Sequence, residues 1–542
     1  MGIILAQVAH AQTIAETTET IKEVLKPADM RSEQGFCHIA TLRLGRTGDK
    51  EGKSPCVLLE NGKPLAMPGA LHADIRTKGE GRHSHWTATS LYFSASDNSD
   101  PRANGREYAL VSVRRLRRHA VTQRVTTAEA SYALDAAAKS KRLDAKTRIE
   151  TPLSNRRLAA RLLDDRASVI FKLAGKGWPD LTTAEGMLKS ILRPEMTDEQ
   201  KALAIWKFLV DWRYHYYPAE GGDEVHDPVK FVNVYGYGFC DDSASNFASL
   251  CMTAGLRART WGLSGHVVGE AFYGGGWHMF DPDHEVVYRM PDGHVASVEE
   301  LAAHPEVITQ TPRDPIGSDS ASIAKLYTTT EDNKPHERKY PIGHRLEPKL
   351  RPGDEVVFDF AERRAAHVVA FRDQSLPPRF GNGRLTRRLD LSRADREAEV
   401  RVEWPYVILG GELRLSLAKP DAAIAVALVE APDKQTPLEA KVAGITLTAA
   451  LDKWFDSQPR AHYAYALRLT SQAGPLREAV REAALTTAFQ FAPRALPQVQ
   501  PGGVTIVWSV KPADGAALPG DWRGLEVLHE WDEVLGDEPP RP

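Results

Sequence analysis

The feature that most constrains this chain is a cysteine placed between a glycine-rich loop and an amphipathic helix. Gly238 lies two residues before Cys240. The apolar residues after the cysteine recur at intervals of three and four, as on one helical face: Phe247, Leu250, Cys251 and Ala254. Gly255 stands where a helix-terminating glycine is expected. The pattern therefore predicts a helix that begins near Cys240, with the thiol at the positive end of its dipole.

This position suits a thiol nucleophile. Thiols at helix N-termini have lowered pKa values, and the thiolate is the attacking species. Unpaired backbone N–H groups at the same place can hold the oxyanion of a tetrahedral intermediate. Asp241 and Asp242 work weakly against a thiolate, so a basic partner is needed. Cys251, on the apolar face, is by contrast expected to be a buried and inert thiol.

A histidine at the start of a glycine-rich hairpin is the candidate base. The glycines at 274–276 separate two short apolar runs, which predicts an antiparallel pair of strands. If the turn begins at Tyr273, His266 lies opposite Asp281; if it begins one residue later, His266 lies opposite Asp283. Opposed side chains share a face, so either register puts a carboxylate beside the imidazole. The sequence alone does not choose between the two aspartates.

Two other histidines compete for this role. His278 alternates with apolar neighbours and is expected to be structural or solvent-facing, and His284 follows a turn and is expected to be a loop residue. Together with Cys240 and His266 they would form a zinc-type donor set. However, no Cys-x-x-Cys or His-Glu-x-x-His spacing is present. We therefore expect neither a metal nor a cofactor.

At these residues the chain resembles the transglutaminase-like superfamily, whose members share a papain-like Cys-His-Asp arrangement. Gly238-Phe-Cys240 matches the start of the family's cysteine helix. His266 matches the histidine that opens a strand, and Trp277-His-Met-Phe-Asp281 matches the strand that follows. The aromatic residue that usually follows the histidine is replaced by valines at 267–268, a departure that bears on the substrate groove. The resemblance covers about residues 190–290.

The resemblance implies a fold and a set of roles. The fold is α+β, with a helix carrying the cysteine packed on an antiparallel sheet that carries the histidine and the aspartate. In this arrangement Cys240 is the nucleophile, His266 is the general base and then the general acid, and Asp281 orients the imidazole.

The region before the cysteine loop fits the same fold. Thr197-Asp-Glu-Gln200 is a capping box that opens a helix, and family members commonly have such a helix at this point. Trp212, Tyr235 and Tyr237 are alternatives for a side-chain oxyanion donor, since some members use an upstream aromatic residue or amide. Trp212 is expected instead to belong to the core face of its helix.

With 542 residues the chain is expected to contain three or four domains. The predicted divisions are an N-terminal segment and possible leader remnant (1–35), a β-rich module (36–125), a helical connector (126–190), a transglutaminase-like catalytic domain (190–330), a β-rich C-terminal domain of β-sandwich type (340–530) and a disordered tail (531–542). The helical prediction for the connector rests on the spacing of Leu158, Leu162, Leu163 and Ile170.

Charge and cysteine usage bear on partners and compartment. The 69 basic and 72 acidic residues give a net charge of −3, which does not call for a nucleic-acid partner. The basic run Arg114–His119 is expected to be a solvated face. No stretch approaches the roughly 20 apolar residues of a membrane-spanning helix. Residues 3–12 end in a leader-like Ala-x-Ala pattern, and Cys37 and Cys56 could form a disulfide, so export is favoured, with a cytoplasmic location as the alternative.

The predicted function is thiol-dependent acyl transfer at amide bonds of proteins or peptides, by a hydrolytic cysteine peptidase or amidase. One alternative is a transglutaminase that passes the acyl group to an amine. The other is a non-catalytic surface or carbohydrate-binding protein that uses the fold as a scaffold. Four aromatic residues are conceivable sugar-stacking platforms, although each is expected to be a core residue: Trp404, Tyr406, Trp454 and Trp508. The expected partner is a protein or peptide substrate, associated with the cell surface or cell wall.

Overall fold

The structure is a computed structural model, built largely from antiparallel strands. It describes residues 7–8, 12–43, 46–50, 52–134, 155–215, 224–311, 319–329, 333–337, 340, 342–360, 381–420, 422–431, 433–499 and 503–540. The leader-like segment at 3–12 lies mostly outside the described residues.

The first region consists of strands and one short helix. In chain order its elements are β1 (Gln7–Val8), β2 (Gln12–Leu25), β3 (Met30–Ser32), β4 (His38–Thr41), β5 (Val57–Glu60), β6 (Lys63–Pro64), α1 (His72–Thr77), β7 (His83–Thr87), β8 (Ser90–Phe93), β9 (Tyr108–Val125), β10 (Glu129–Leu134), β11 (Asn155–Leu162) and β12 (Val169–Gly175). Strands β3, β4, β8 and β7 form a four-stranded sheet. Cys37 and Cys56 are both buried free thiols, so the disulfide considered from the sequence is not formed.

The helical connector predicted at 126–190 is wrong for most of its described residues, which form β10, β11 and β12 before the first helix of the next region. Leu158, Ala160 and Leu162 of β11 are all buried, as the alternation of a strand requires. Leu158 and Leu162 are four residues apart, and an even spacing of four keeps two residues on one face of either a helix or a strand. The spacing was therefore ambiguous.

The central region carries most of the helices. Its elements are α2 (Ala184–Ile191), α3 (Asp198–Trp212), β13 (Tyr214–His215), α4 (Pro228–Lys230), a π-helical turn (Phe231–Tyr235), β14 (Tyr237–Gly238), α5 (Cys240–Thr253), β15 (Arg257–Leu263), β16 (His266–Tyr273), β17 (Gly276–Phe280), α6 (Val298–Ala303), α7 (Glu306–Gln310), α8 (Ser320–Thr328) and β18 (Lys334–His336). Strands β17, β16, β15 and β18 form an antiparallel sheet in that order.

Helix α5 packs directly on this sheet. The rings of Phe247 and Phe280 stack with their centroids 5.0 Å apart. Gly269 of β16 allows the approach, because a Cβ there would lie 2.4 Å from the Phe247 ring. Cys251 is fully buried, and burial raises the pKa of its thiol well above the usual value, as predicted for an inert cysteine. The capping box at Thr197 is also confirmed at the start of α3.

The last region is again made of strands. Its elements are β19 (Lys349–Leu350), β20 (Glu355–Asp359), β21 (Gly381–Arg388), β22 (Glu397–Glu403), β23 (Val407–Leu417), β24 (Ile424–Ala431), β25 (Lys434–Pro437), β26 (Ala440–Ala443), β27 (Thr446–Ala450), α9 (Asp452–Asp456), β28 (Ala464–Ser471), α10 (Leu476–Ala479), β29 (Val480–Phe491), β30 (Val504–Pro512) and β31 (Leu525–Glu538). One sheet consists of strands β22, β28, β24 and β25. The hydroxyl of Tyr465 in this sheet is 2.7 Å from the hydroxyl of Thr487, which belongs to a second sheet.

That second sheet has 12 strands and joins the two ends of the chain. Strand β31 lies between β9 and β11, and Trp531 within it is buried. The disordered tail predicted at 531–542 is therefore wrong up to Glu538; residues 541–542 lie outside the described residues. Acidic residues of this strand, Asp532, Glu533 and Asp537, pair with basic residues of the neighbouring strand β9.

The basic run of β9 is flanked by carboxylates on both sides. Arg117 contacts Glu16 of β2, and Arg118 and His119 contact Asp532 and Glu533 of β31. Cross-strand pairs of opposite charge stabilise a sheet. The run is thus largely neutralised within the fold, not simply solvated.

Of the aromatic residues considered as sugar platforms, Trp404, Tyr406 and Trp508 are buried in the core. Their rings are therefore inaccessible to a carbohydrate. Trp454 is partly buried and packs against the same core. Among the described residues, no helix combines the length and apolar character that membrane crossing requires.

Candidate active site

Cys240 is the first residue of α5, and its side chain is partly exposed. The Asp242 carboxylate turns back to accept a hydrogen bond from the Phe239 N–H (2.9 Å), which fixes the start of the helix. The preceding loop approaches closely: a Cβ at Gly238 would lie 2.5 Å from Cε2 of Phe231 and 2.8 Å from Cβ of Asp242. The glycine is needed because there is no room for a side chain.

His266 is the first residue of β16 and is buried. The turn of the hairpin is at Gly274 and Gly275, both with positive φ (58° and 89°), which is the later of the two predicted registers. Extended further, this register would place His266 opposite Asp283. The β16–β17 ladder ends at the pair Gly269 and Phe280, however, before it reaches the histidine.

Asp281 is the carboxylate that contacts His266. Beyond the ladder it forms an isolated bridge with Val286, and its Oδ2 lies 2.8 Å from Nε2 of His266. Its Oδ1 accepts the backbone N–H of His284 (2.8 Å), and its carbonyl accepts the indole N–H of Trp206 (3.0 Å) from α3. Asp281 is fully buried, so these contacts replace its lost hydration.

The ionisation of the pair follows from its burial and charge. Burial alone would lower the pKa of His266, but the Asp281 carboxylate and the Cys240 thiol outweigh it and raise the pKa to about 10. Burial would likewise raise the pKa of Asp281, yet His266 and His284 lower it to about 2. An imidazolium beside a carboxylate is therefore the favoured state.

The thiol also lies close to this imidazole. One ligand-type atom from each of Cys240, His266 and Asp283 lies within 4.8 Å of the other two. Because Nε2 of His266 faces Asp281, Nδ1 is the ring nitrogen that remains for the thiol. An imidazole held between a thiol and a carboxylate is the arrangement that can transfer a proton to and from sulfur.

Asp283 has a different principal partner. Its Oδ1 lies 3.2 Å from Nη1 of Arg213, and Nη2 of the same guanidinium donates to the carbonyl oxygens of Asp283 (2.7 Å) and Pro282. Both side chains are almost wholly buried. Arg213, at the C-terminal end of α3, thereby holds the Asp281–Asp283 turn in place, a role that nothing in the sequence indicated.

His284 is more than a loop residue. Its ring stacks on that of His266 with the centroids 4.1 Å apart and an interplanar angle of 15°, and its Nδ1 lies 3.4 Å from Oδ2 of Asp281. It buttresses the face of the imidazole. His278 is structural: its ring nitrogens lie within hydrogen-bond distance of the carbonyl oxygens of Val295 and Tyr273.

The proposed oxyanion donors upstream prove to be packed into the core. The Tyr235 hydroxyl donates to Glu224 (3.1 Å) and its side chain is fully buried. Trp212 packs edge-on against Trp178, with the centroids 5.0 Å apart. Tyr237 is also buried. The amide groups of the first turn of α5 are also donors near the thiol.

Two groups of donors at this site have metal-type spacing: Cys240 with His266 and Asp283, and His266 with Asp281 and His284. Both include His266. A cation bound there would occupy a nitrogen that acid–base chemistry at the thiol requires. The zinc set considered from the sequence also included His278, which is engaged elsewhere.

Comparison with known proteins identifies the family of one segment. Residues 185–282 match the profile of the family described as the transglutaminase-like superfamily, so the chain contains a transglutaminase-like domain and the predicted resemblance is confirmed there. No curated protein matches the chain significantly.

One solved structure, described as that of "a putative protease" from Parabacteroides distasonis, is similar at 8% identity, covering 86% of this chain and 91% of the other. Its TM-score of 0.16 is too low to support an argument about fold or function.

Proposed function

We propose that this protein is a thiol enzyme that cleaves amide bonds in proteins or peptides through Cys240, His266 and Asp281. The single observation that supports it most is the buried imidazole of His266, with an Asp281 carboxylate oxygen 2.8 Å from Nε2 and the Cys240 sulfur within 4.8 Å of a ring nitrogen. The match of residues 185–282 to the transglutaminase-like superfamily supports the same chemistry.

The reaction proceeds in two halves. The Cys240 sulfur attacks the amide carbonyl carbon, and the carbonyl π electrons move to oxygen, where N–H groups of the first turn of α5 stabilise the negative charge. The C–N bond then breaks as the His266 imidazolium gives its proton to the departing amine. This leaves a thioester on Cys240 and a neutral imidazole.

In the second half, His266 removes a proton from a water molecule while the water oxygen attacks the thioester carbonyl carbon. The carboxylic acid departs, and sulfur and imidazole return to the thiolate–imidazolium pair. Asp281 stays ionised throughout, since its role is to orient the ring and stabilise the imidazolium. An amine in place of water would give transamidation by the same steps.

The first test is alkylation of Cys240 by iodoacetamide as a function of pH, with the modified cysteine identified by mass spectrometry. We expect fast labelling well below pH 8, slowed by His266→Ala. Buried Cys251 is the internal control and should remain unlabelled while the protein is folded. Labelling no faster than that of a free thiol with a pKa of about 8.5 would refute the proposal.

The second test separates water from amine as the acceptor. The protein is incubated with casein and a labelled primary amine, with Cys240→Ala as the inactive control. Cleavage products without amine incorporation are expected for a peptidase. Incorporation without cleavage would instead establish a transglutaminase.

A further inference from the structure

Three carboxylates lie near the candidate nucleophile, two of them in sequence and one in space. Asp241 and Asp242 follow Cys240 in the first turn of α5, and a carboxylate oxygen of Asp283 lies within 4.8 Å of the Cys240 sulfur. Negative charges at such distances oppose formation of a thiolate. If these charges were uncompensated, they would counteract the effect of the helix dipole and of His266.

Each carboxylate has a buried cationic partner. Arg213 pairs with Asp283, as described above. His226 serves the other two: its Nε2 lies 3.4 Å from Oδ2 of Asp241 and 3.5 Å from Oδ1 of Asp242. The His226 side chain is fully buried, whereas 56% of the Asp241 side chain is exposed.

The segment that carries His226 is fixed from both sides. The Asn246 side chain of α5 donates a hydrogen bond to the carbonyl of Val225 (2.8 Å), which ties the residue before His226 to the cysteine helix. On the other side, the Asp227 carboxylate accepts the N–H of Val229 (2.9 Å) and caps α4. His226 is therefore held against the first turn of α5 by its backbone.

The charged surroundings favour the protonated ring. From α5, His226 faces Asp241 and Asp242. Its ring also makes a T-shaped contact with the ring of Tyr340, with the centroids 6.3 Å apart. Burial opposes protonation, but the two carboxylates outweigh it and raise the pKa of His226 above its usual value.

The acidic residues on its own segment are engaged with other groups. Glu224 pairs with Lys230 (2.7 Å) and accepts the hydroxyl of Tyr463. Asp227 is occupied by backbone amides. Among the residues that the structure describes, Asp241 and Asp242 are the carboxylates paired with the His226 ring.

We propose that His226 is a positioning residue that sets the reactivity of Cys240, because its imidazolium neutralises Asp241 and Asp242 and so permits the thiolate to form. This inference rests on the proposed function, since it concerns the same nucleophile. It adds a second histidine, which acts through neighbouring carboxylates and does not touch the reacting atoms.

The test is the pH profile of Cys240 alkylation in His226→Gln. Loss of the imidazolium leaves two carboxylates beside the thiol, so the midpoint should rise by about one pH unit, with labelling about tenfold slower below it. His294→Gln is the matched control: His294 also bridges two carboxylates, Asp292 (2.6 Å) and Glu300 (3.0 Å), but lies outside the Cys240 cluster. Its profile should equal that of the wild type.

A second substitution tests the cause. Asp241→Asn in the His226→Gln background removes one of the two charges that have lost the His226 cation and should return the midpoint at least halfway to the wild-type value. Asp242 is left intact because it caps α5. The fall in midpoint caused by Asp241→Asn should be larger in this background than in the wild-type protein, because His226 no longer offsets the Asp241 charge. Equal falls in the two backgrounds would overturn the inference.

The outcomes separate this inference from the proposed function. Wild-type Cys240 that labels like an ordinary free thiol refutes the function, and with it the inference. If Cys240 of the wild type labels fast at low pH and the His226→Gln variant has the same pH profile, the inference about His226 is overturned and the proposed function stands. Labelling of Cys251 would show that His226→Gln has unfolded. In that case the test is Asp241→Asn in the otherwise wild-type protein, whose Cys240 alkylation midpoint should fall. A midpoint that stays the same or rises overturns the inference.

Discussion

Nε2 of His266 lies 2.8 Å from Oδ2 of Asp281, although the strands that carry the two residues no longer pair at this point. The contact exists because the chain leaves the ladder after Phe280 and turns back on itself, with a bridge from Asp281 to Val286. The turn brings a second carboxylate, Asp283, close to the same histidine. The two aspartates therefore have separable roles.

Asp281→Asn should lower the rate of casein cleavage on the order of 10³–10⁴-fold. The amide cannot stabilise the His266 imidazolium, and its NH₂ group can hold the ring in the wrong tautomer. The alkylation midpoint of Cys240 should rise as well, because the cation beside the thiol is lost. A loss of less than tenfold would contradict the role assigned to Asp281.

Asp283→Asn is the matched comparison and should act on stability. It removes the charge that pairs with buried Arg213, and breaking a buried ion pair costs about 3–5 kcal/mol. Urea unfolding monitored by circular dichroism measures this loss, while cleavage per folded molecule should stay within about tenfold of the wild type. The opposite pattern, with activity lost and stability kept, would exchange the roles of the two aspartates.

Gly238→Ala should both destabilise the protein and slow labelling of Cys240. The new Cβ would lie 2.5 Å from the Phe231 ring, so the start of α5 must shift, at a cost of about 1–3 kcal/mol. Gly276→Ala is the control: its nearest neighbour, Nε2 of His278, is 3.8 Å away, and its stability should change by less than about 1 kcal/mol. Equal effects at the two glycines would contradict the steric argument.

Asp532→Asn should lower the free energy of unfolding by on the order of 1 kcal/mol, because this buried carboxylate binds both Arg118 and Arg156. Screening reduces the contribution of the partly exposed arginines, so the difference from wild type should shrink in 1 M NaCl. Glu526→Gln on the same strand removes a more exposed pair with Arg161 and should have little effect. Urea unfolding at low and high salt makes the comparison.

His529 should make the fold sensitive to acid. It is fully buried, with Nε2 at 2.9 Å from Oδ1 of Asn155, and burial lowers its pKa to about 3. Between about pH 6.5 and pH 3 the unfolded chain therefore binds a proton that the folded chain does not. The stability this neutral ring contributes is present above pH 6.5 and is lost as the pH falls through that window, by up to about 1.4 kcal/mol per pH unit.

His529→Gln cannot titrate and can still donate to Asn155. The free energy of unfolding, measured in urea from pH 7 to pH 4, should therefore fall less steeply in this variant than in the wild type. His304→Gln, at an exposed histidine, serves as the control and should leave the slope unchanged. Identical slopes in all three proteins would show that His529 does not control the acid response.

Features of the site that depend on local patterns were predictable. Helix α5 runs Cys240–Thr253, and the glycine expected at its end has a left-handed φ of 87° at Gly255. The hairpin turn at Gly274 and Gly275 is one of the two registers that the sequence allowed. Both follow from interactions between residues close in the chain, where periodicity and glycine conformation are informative.

The errors arose where a local pattern had two solutions. Leu158 and Leu162 share a face in a helix and in a strand, and the neighbours β20 and β31, distant in sequence, selected the strand. The Pro-rich end of the chain has the composition of a tail, but Arg118 of β9 binds Asp532 in the strand that leads into it. Neither partner is visible within a short sequence window.

The sequence by itself determined which residue types are available at the site. A helix start and a hairpin are local structures, and they present a thiol, an imidazole and a carboxylate at predictable positions. The tertiary structure alone decided which carboxylate contacts His266, since Arg213 and Trp206 of α3 hold the turn around Asp281. It also brought His226 to Asp241, 15 positions further along the chain. Such contacts depend on packing between separate elements, which periodicity does not encode.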